Sequence, residues 1–151
     1  MGMFDGMNQA PMGLQRLYFQ VGRYLIKVVK IKGITAAESF HGRGSFVVEC
    51  EILKSTVPGL PPGSQPAWVQ TIGQSAKDRE MAFGAIKLFF AAVLNDPKLA
   101  GLDVESLADN AVSDANPLCG AMLGLVCTNK RTKAGGDFTL HAWHNAEGFM
   151  P

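Results

Sequence analysis

Alternation of apolar and polar residues predicts two long β-strands in the first third of the chain. Between residues 18 and 34, Tyr24, Ile26 and Val28 lie on one side of the pattern, and the phase slips at Val29. Such a slip is typical of a β-bulge in a long, curved strand. After the glycine-rich turn HGRGSF, the run SFVVECEILKS alternates cleanly and puts Glu49 and Glu51 on one face. The sequence therefore predicts a first hairpin with a bulged leading strand.

The pattern then changes twice, first to a loop and a short strand and then to a helix. The segment TVPGLPPGSQP must be a loop because of its prolines and glycines, and AWVQTIG follows as a third strand. At Ser75 and Asp78, which have capping-box spacing, the apolar period becomes helical and continues to Asn95. A weaker helical stretch begins at an Asp103 cap, and GAMLGLVCTNK and DFTLHAWH complete the chain as strands four and five.

The resulting order, β-β-β-α-β-β, predicts a mainly β fold with one main helix. It is typical of the OB-fold, a five-stranded Greek-key barrel, with the helix plugging one end. Other small barrels and α+β sandwiches share parts of this order. We expect one OB-like domain over residues 14–151, preceded by a Met-rich arm over residues 1–13 that can be flexible alone or dock on a neighbouring copy.

Composition describes a folded protein without a strong charge bias. The 151 residues are 47% hydrophobic and 18% charged, which excludes a long disordered chain. A net charge of +1 means that nucleic-acid binding would need a local basic face. The three cysteines form no CxxC pair, which favours reduced thiols, and the chain shows neither a secretory signal nor a membrane span. We expect a cytoplasmic protein that does not bind a membrane.

Neither a metal site nor a catalytic motif is predicted. His141 and His144 should point to opposite faces of a strand, and the spacing of Cys119 and Cys127 does not match a zinc ribbon. The chain contains no GxSxG, HExxH or phosphate-binding glycine motif. Glu49 and Glu51 are more consistent with cross-strand pairing to Lys27 or Lys30. We therefore predict a protein that is not an enzyme and needs no cofactor.

Basic residues fall into three groups that an OB barrel would bring close to each other. They lie in the first strand, in the first hairpin turn and in the last hairpin turn: Arg23, Lys27, Lys30, Lys32; Arg43; Lys130, Arg131, Lys133. Phe40, Trp68, Phe138 and Trp143 are interleaved with them. Single-strand binders combine such cations with rings on which bases stack. We take Phe40, Trp68 and Trp143 as candidate stacking rings; alternatively, Phe46, Trp68 and Trp143 form the core and the lysines only solubilise the protein.

Several longer stretches resemble small OB-fold proteins of tailed bacteriophages. The stretches are YFQVGRYLIKVVKIKGI, GSFVVECEILKST, PPGSQPAWVQ, AFGAIKLFFAAVL and TKAGGDFTLHAWH, within residues 18–144. The resemblance implies single-stranded-DNA binding in replication or recombination. The C-terminal HNAEGFMP departs from the acidic tails of bacterial single-strand binders, since it has one Glu. Recruitment of replication partners through such a tail is therefore not expected.

Two functions remain open from the sequence. The first is a phage-type protein that binds single-stranded DNA in the host cytoplasm, with the basic run Lys130–Lys133 as the leading candidate for phosphate contact. The second is a virion structural protein, such as a capsid-decorating or tail-associated subunit, that uses the same barrel as an interaction module. The near-neutral charge, the Met-rich arm and the loop TVPGLPPG favour the second function.

Overall fold

The elements of the fold follow the predicted order. The computed structural model describes residues 2–9, 17–39 and 42–151. It contains five strands and two α-helices: β1 (Gly22–Ile34), β2 (Gly44–Ser55), β3 (Ala67–Ile72), α1 (Ala76–Leu94), α2 (Val104–Ala111), β4 (Met122–Arg131) and β5 (Asp137–Asn145). Two short 3-10 turns, Met7–Gln9 and Ala36–Glu38, complete the described elements. The boundary expected between residues 13 and 14 lies outside the described residues.

All five strands belong to one antiparallel sheet with the order β3-β2-β1-β4-β5. The mainly β class is thus confirmed. Hydrogen bonds between strands do not close this sheet within the described residues, because β3 and β5 are its two edges. The free edge of β3 instead meets the segment before β1, where Ala67 N donates to Leu17 O at 2.9 Å. The strand pairing therefore describes an open sheet and not a closed barrel.

The bulge expected at Val29 is present in β1. Val28 pairs with Cys50 and Lys30 with Glu49, so Val29 is the extra residue on this strand. A second irregularity lies between Leu25 and Ile26, where the extra residue is on β2. Bulges bend a strand and increase its local twist. They allow β1 to serve as the central strand, paired with β2 on one side and with β4 on the other.

The core lies between one face of the sheet and α1. We call this the inner face and the opposite one the outer face. Ser75 caps the helix by accepting a hydrogen bond from Asp78 N, and Asn95 ends it in the left-handed conformation, with φ 51°. Phe89 and Phe90 on α1 are fully buried, with ring centroids 6.0 Å and 5.8 Å from that of Phe46 on β2, and Phe89 also lies 6.0 Å from Trp68 on β3. The helical spacing of these apolar side chains puts them on one side of α1, and that side packs on the inner face of the sheet.

The side chain of Asn116 hydrogen-bonds to the edge of β1 beyond the point where β4 pairs with this strand. The β1–β4 register ends at Lys27 and Met122. The Asn116 side chain then accepts from Ile31 N at 2.8 Å and donates to Ile31 O at 2.7 Å. This amide is buried and copies the two hydrogen bonds that a neighbouring strand residue would make. A loop side chain therefore satisfies backbone groups inside the fold.

Two global expectations concern thiols and membranes. Cys50 and Cys127 are buried free thiols, as predicted, whereas Cys119 is exposed. Burial raises the pKa of the Cys127 thiol to about 12 and raises the pKa of Cys50 as well. Within the described ranges, neither α-helix combines the length and the apolar character that crossing a membrane requires.

Candidate nucleic-acid interface

The last hairpin extends beyond the rest of the sheet. β1 pairs with β4 only as far as Cys127, so residues 128–131 and 137–140 pair with each other alone. The turn between them is closed by Thr132, whose N–H donates to Gly136 O at 2.7 Å and whose hydroxyl accepts from Gly136 N at 3.0 Å. Gly135 has a φ of 87°, which favours glycine. We call residues 128–140 the ribbon.

The ribbon combines exposed cations with exposed apolar side chains. Lys130 pairs with Phe138, and Thr128 pairs with Leu140, so these four side chains share the outer face. Phe138 is 43% exposed, although it lies in a strand. Lys130 and Lys133 are exposed, and Arg131 lies 3.7 Å from Asp137 across the ladder. An exposed ion pair of this kind contributes little stability and leaves the guanidinium accessible.

The cations of β1 form a line along the outer face. Arg23, Lys27, Lys30 and Lys32 all lie on this face, opposite the buried Ile26, Val28 and Ile31. Lys27 pairs with Glu51 at 3.8 Å, as predicted, and Lys32 pairs with Glu49 at 2.8 Å. The expected partner of Glu49, Lys30, is its neighbour across the ladder, but the diagonal Lys32 makes the ion pair. The two glutamates therefore neutralise part of the line.

The two basic turns lie at opposite ends of β1 rather than side by side. Ile34 at one end pairs with Ser45, next to the exposed Arg43. Gly22 at the other end pairs with Cys127, beyond which the ribbon begins. The expectation that the three basic groups lie close together is therefore wrong for the two turns, because antiparallel pairing puts successive turns at opposite strand ends. The cations of β1 span the distance between them.

The tryptophans belong to the aromatic part of the core. Trp68 is 4% exposed, and its ring lies 6.2 Å from Phe46, 6.0 Å from Phe89 and 5.4 Å from Trp143. Of the two interpretations of Trp68, burial supports the core, and this ring offers no face to a base. Trp143 is half-buried, and its buried Nε1 has no hydrogen-bond partner among the described residues. Phe40 lies outside the described residues.

The C-terminal segment folds back onto the outer face beside the ribbon. The ring of Phe149 occupies the space in which a Cβ on Gly124 would stand. It stacks on His144 with a centroid distance of 5.5 Å, and the Arg23 guanidinium lies 5.2 Å from its centre. Arg23 Nη2 also donates to Met150 O at 3.1 Å. Sequence reasoning missed this contact, although a lone glycine inside a strand often marks a close approach.

The histidines of β5 lie on opposite faces of the sheet, as predicted. His141 faces the core, 6.4 Å from the Trp68 ring, whereas His144 contacts Phe149 on the outer face. Burial lowers the pKa of His141, since it disfavours the imidazolium. In the part of the chain that the structure describes, three or more His, Cys, Asp or Glu side chains never come together in a metal-binding arrangement.

Comparison with known proteins gives no family assignment. No protein-family model matches the chain, and no curated protein is significantly similar to it. The ribbon and the outer face are therefore the features of the molecule that bear on its function.

Proposed function

We propose that the protein binds single-stranded DNA without catalysis and with little sequence preference. The observation that carries this proposal is the ribbon, on which the exposed Phe138 lies directly across from Lys130, with Lys133 in the adjoining turn and Arg131 on the opposite face of the same strand. An aromatic ring beside cations is the combination that single-strand binders use. The ring stacks on a base, and the cations contact phosphates on either side of it.

The structure changes which residues we assign to this interface. Phe138 replaces Trp68 as the principal stacking ring, because Trp68 is buried. Lys130, Arg131 and Lys133 provide phosphate contacts at one end of β1, and Arg43 provides one at the other end. Lys27, Lys30 and Lys32 line the path between them, whereas Arg23 is engaged by Phe149 and Met150 of the C-terminal segment. Each stacked base contributes about 1–3 kcal/mol in proteins of this class.

The proposed fold assignment is an open OB-like barrel. β1 pairs with both β2 and β4, as the first strand of an OB-fold does, and α1 stands between β3 and β4 in the chain. The gap between β3 and β5 is bridged by the contact between Trp68 and Trp143 instead of hydrogen bonds. In OB-folds the turns between strands one and two and between strands four and five flank the bound strand. Together with the resemblance to phage proteins, this supports a role in phage DNA replication or recombination in the host cytoplasm.

The test is a salt series with labelled oligo-dT, followed by fluorescence anisotropy. We expect affinity to fall steeply with salt, because bound phosphates release counterions. Lys130→Glu combined with Lys133→Glu should lower the affinity at least tenfold, and Phe138→Ala should weaken binding at all salt concentrations. Lys77→Glu combined with Lys98→Glu, an equal charge reversal at exposed positions on and just after α1, is the control. Equal binding by the ribbon variants and the control would reject the proposed interface.

A virion structural role is the second candidate, and the N-terminal arm favours it. Residues 2–9 are exposed throughout, including Met3, Phe4 and Met7. Unpartnered methionines and a phenylalanine suit docking on a neighbouring subunit. Under this proposal the protein co-sediments with purified particles, and deletion of residues 1–13 abolishes the association. Oligo-dT binding that survives the same deletion would support the first function instead.

A further inference from the structure

Helix α1 carries a second apolar stripe on the side that faces solvent. The inner stripe contains the buried Ile86, Phe89 and Phe90. On the opposite side, Met81, Gly84, Leu88 and Ala91 follow each other at spacings of three, four and three residues. This is the spacing of the apolar seam between two packed helices. Met81 and Leu88 are each 66% exposed, so the seam has no partner within the described chain.

Gly84 is the least expected residue of this stripe. Glycine in the middle of a helix is unfavourable relative to alanine because the unfolded chain is freer. A Cβ at Gly84 would meet no atom within 4 Å, so packing within the chain does not require glycine there. Gly84 lines an open surface depression of about 630 Å³ together with Phe83 and Lys87 of the same helix. A residue without a side chain is useful here if another helix approaches closely.

We propose that the stripe packs against the same stripe of a second copy, antiparallel, about a two-fold axis at the middle of the helix. In that register Leu88 lies against the second copy's Gly84, and Met81 lies against the second copy's Ala91. Each large side chain then enters the space that a small residue leaves, as knobs-into-holes packing requires. A parallel arrangement would put Gly84 against Gly84 and Leu88 against Leu88, which leaves a gap at one level and crowding at the next.

The ends of the stripe also fit this arrangement. The same register puts Lys77, on the first turn of the helix, beside Asn95 of the second copy. Asn95 is the C-cap, where the last carbonyl groups of a helix carry partial negative charge. A cation there is favourable, and the two helix dipoles run in opposite directions. Charge complementarity and size complementarity therefore select a second copy of this chain as the occupant.

The contact between the two helices is small, and it contains both attractive and repulsive charges. The helix contact from Lys77 to Asn95, which includes the stripe, is about 27 Å long at 1.5 Å per residue. A single helix pair of this length buries less surface than a stable dimer does, so we expect a dissociation constant on the order of 100 μM. The two Lys87 side chains flank the axis and repel each other. Salt screens this repulsion and the attraction between Lys77 and the partner's helix end alike, so salt should not dissociate the apolar contact, whereas DNA binding weakens with salt.

Sedimentation equilibrium of the full-length protein without DNA, up to 1 mM chain concentration, tests the pairing. We expect a monomer–dimer equilibrium that Leu88→Glu abolishes and that 0.5 M NaCl does not dissociate. Leu102→Glu, which changes an exposed leucine outside α1, should leave the equilibrium unchanged. A protein that stays monomeric at 1 mM, or a dimer that both substitutions weaken equally, would overturn the proposal. Neither result changes the oligo-dT titration, so the two proposals can fail separately.

Cross-linking tests the antiparallel register itself. In a Cys119→Ser background, which removes the exposed native thiol, we expect a mixture of Gly84→Cys and Leu88→Cys chains to form a disulfide-linked heterodimer on oxidation. Each variant alone should cross-link at least fivefold less, because identical positions lie apart along the axis. Homodimers that form as readily as the heterodimer would overturn the antiparallel register. Circular dichroism of every variant confirms that the fold is intact before the comparison is made.

Discussion

The ring of Phe149 packs against Gly124 on the outer face of β4. It fills the space that any side chain at that position would need. His144 stacks on this ring, and the Arg23 guanidinium lies 5.2 Å from the centre of the ring. The C-terminal segment is thereby fixed to β4 by a contact that depends on the absence of a side chain. It also covers part of the outer face next to the ribbon.

This contact reverses the usual effect of replacing glycine in a strand. We expect Gly124→Ala to lower the free energy of unfolding by about 1–3 kcal/mol, because the methyl group displaces the Phe149 ring. In a Phe149→Ala background the same change should be neutral or slightly stabilising, since alanine restricts the unfolded chain more than glycine. Urea denaturation of the four proteins of this cycle measures the difference. Equal costs in both backgrounds would show that the two residues are not coupled.

One thiol per chain should react in the native state. Cys119 is exposed, whereas Cys50 and Cys127 are buried and have raised thiol pKa values, with that of Cys127 near 12. The thiolate is the reactive form, so burial protects the latter two both sterically and chemically. Titration with Ellman's reagent at pH 8 should count one fast thiol, and three after denaturation. Cys119→Ser should remove the fast phase; a remaining fast thiol would contradict the burial of the other two.

Stability should fall as the pH is lowered through the titration range of His141. Burial lowers its folded-state pKa below the ordinary value of 6.5, so the unfolded chain binds the proton more readily. The loss begins near pH 6.5 and ends once the pH is below the folded-state pKa. Thermal unfolding at pH 7.5 and pH 5.5 measures it. His141→Gln should reduce the difference in Tm, whereas His144→Gln, on the outer face, serves as the matched control.

Trp68 should not report on DNA directly. In a Trp143→Phe variant, Trp68 is the remaining tryptophan of the two in the chain. Its burial predicts blue-shifted emission and weak quenching by acrylamide. Saturating oligo-dT should leave this emission within about 10% of its value, because stacking requires an exposed ring. Strong quenching by oligo-dT would mean that bases reach Trp68 and that the sheet opens on binding.

Asn116 should be one of the most sensitive polar residues in the protein. Its buried amide makes two hydrogen bonds to Ile31, so we expect Asn116→Ala to cost about 2–4 kcal/mol. Its φ of 45° adds strain for alanine. Glycine adopts this φ without strain, so the loss of stability in Asn116→Gly measures the contribution of the hydrogen bonds alone. If Asn116→Gly proves as stable as the wild type in urea denaturation, the amide contributes nothing measurable.

Local patterns in the sequence predicted the elements well. Period-2 alternation predicted the hairpin of β1 and β2, and the phase slip at Val29 corresponds to an observed bulge. Ser75 and Asp103 were recognisable as helix caps, and Asn95 as the end of the helix, because helix ends depend on a few adjacent residues. These features are determined by neighbours along the chain.

Features that depend on distant residues were not predictable from such patterns. Whether Trp68 is buried depends on Phe89 and Trp143, which no local pattern relates to it. The choice of Lys32 over Lys30 as the partner of Glu49 depends on side-chain reach at the bulge. The Phe149–Gly124 contact depends on a turn at the end of the chain. Strand closure likewise depends on the whole sheet, and hydrogen bonds do not close it within the described residues.

The bond between Asn116 and Ile31 also constrains the order in which the chain folds. The two residues are 85 positions apart, so their contact closes a long loop and is entropically expensive until other contacts hold the ends together. The β1–β2 hairpin and α1 are local and need no such help. We therefore expect the edge of β1 to be sealed late, after the transition state. Substitutions of Asn116 should accelerate unfolding and leave the refolding rate nearly unchanged.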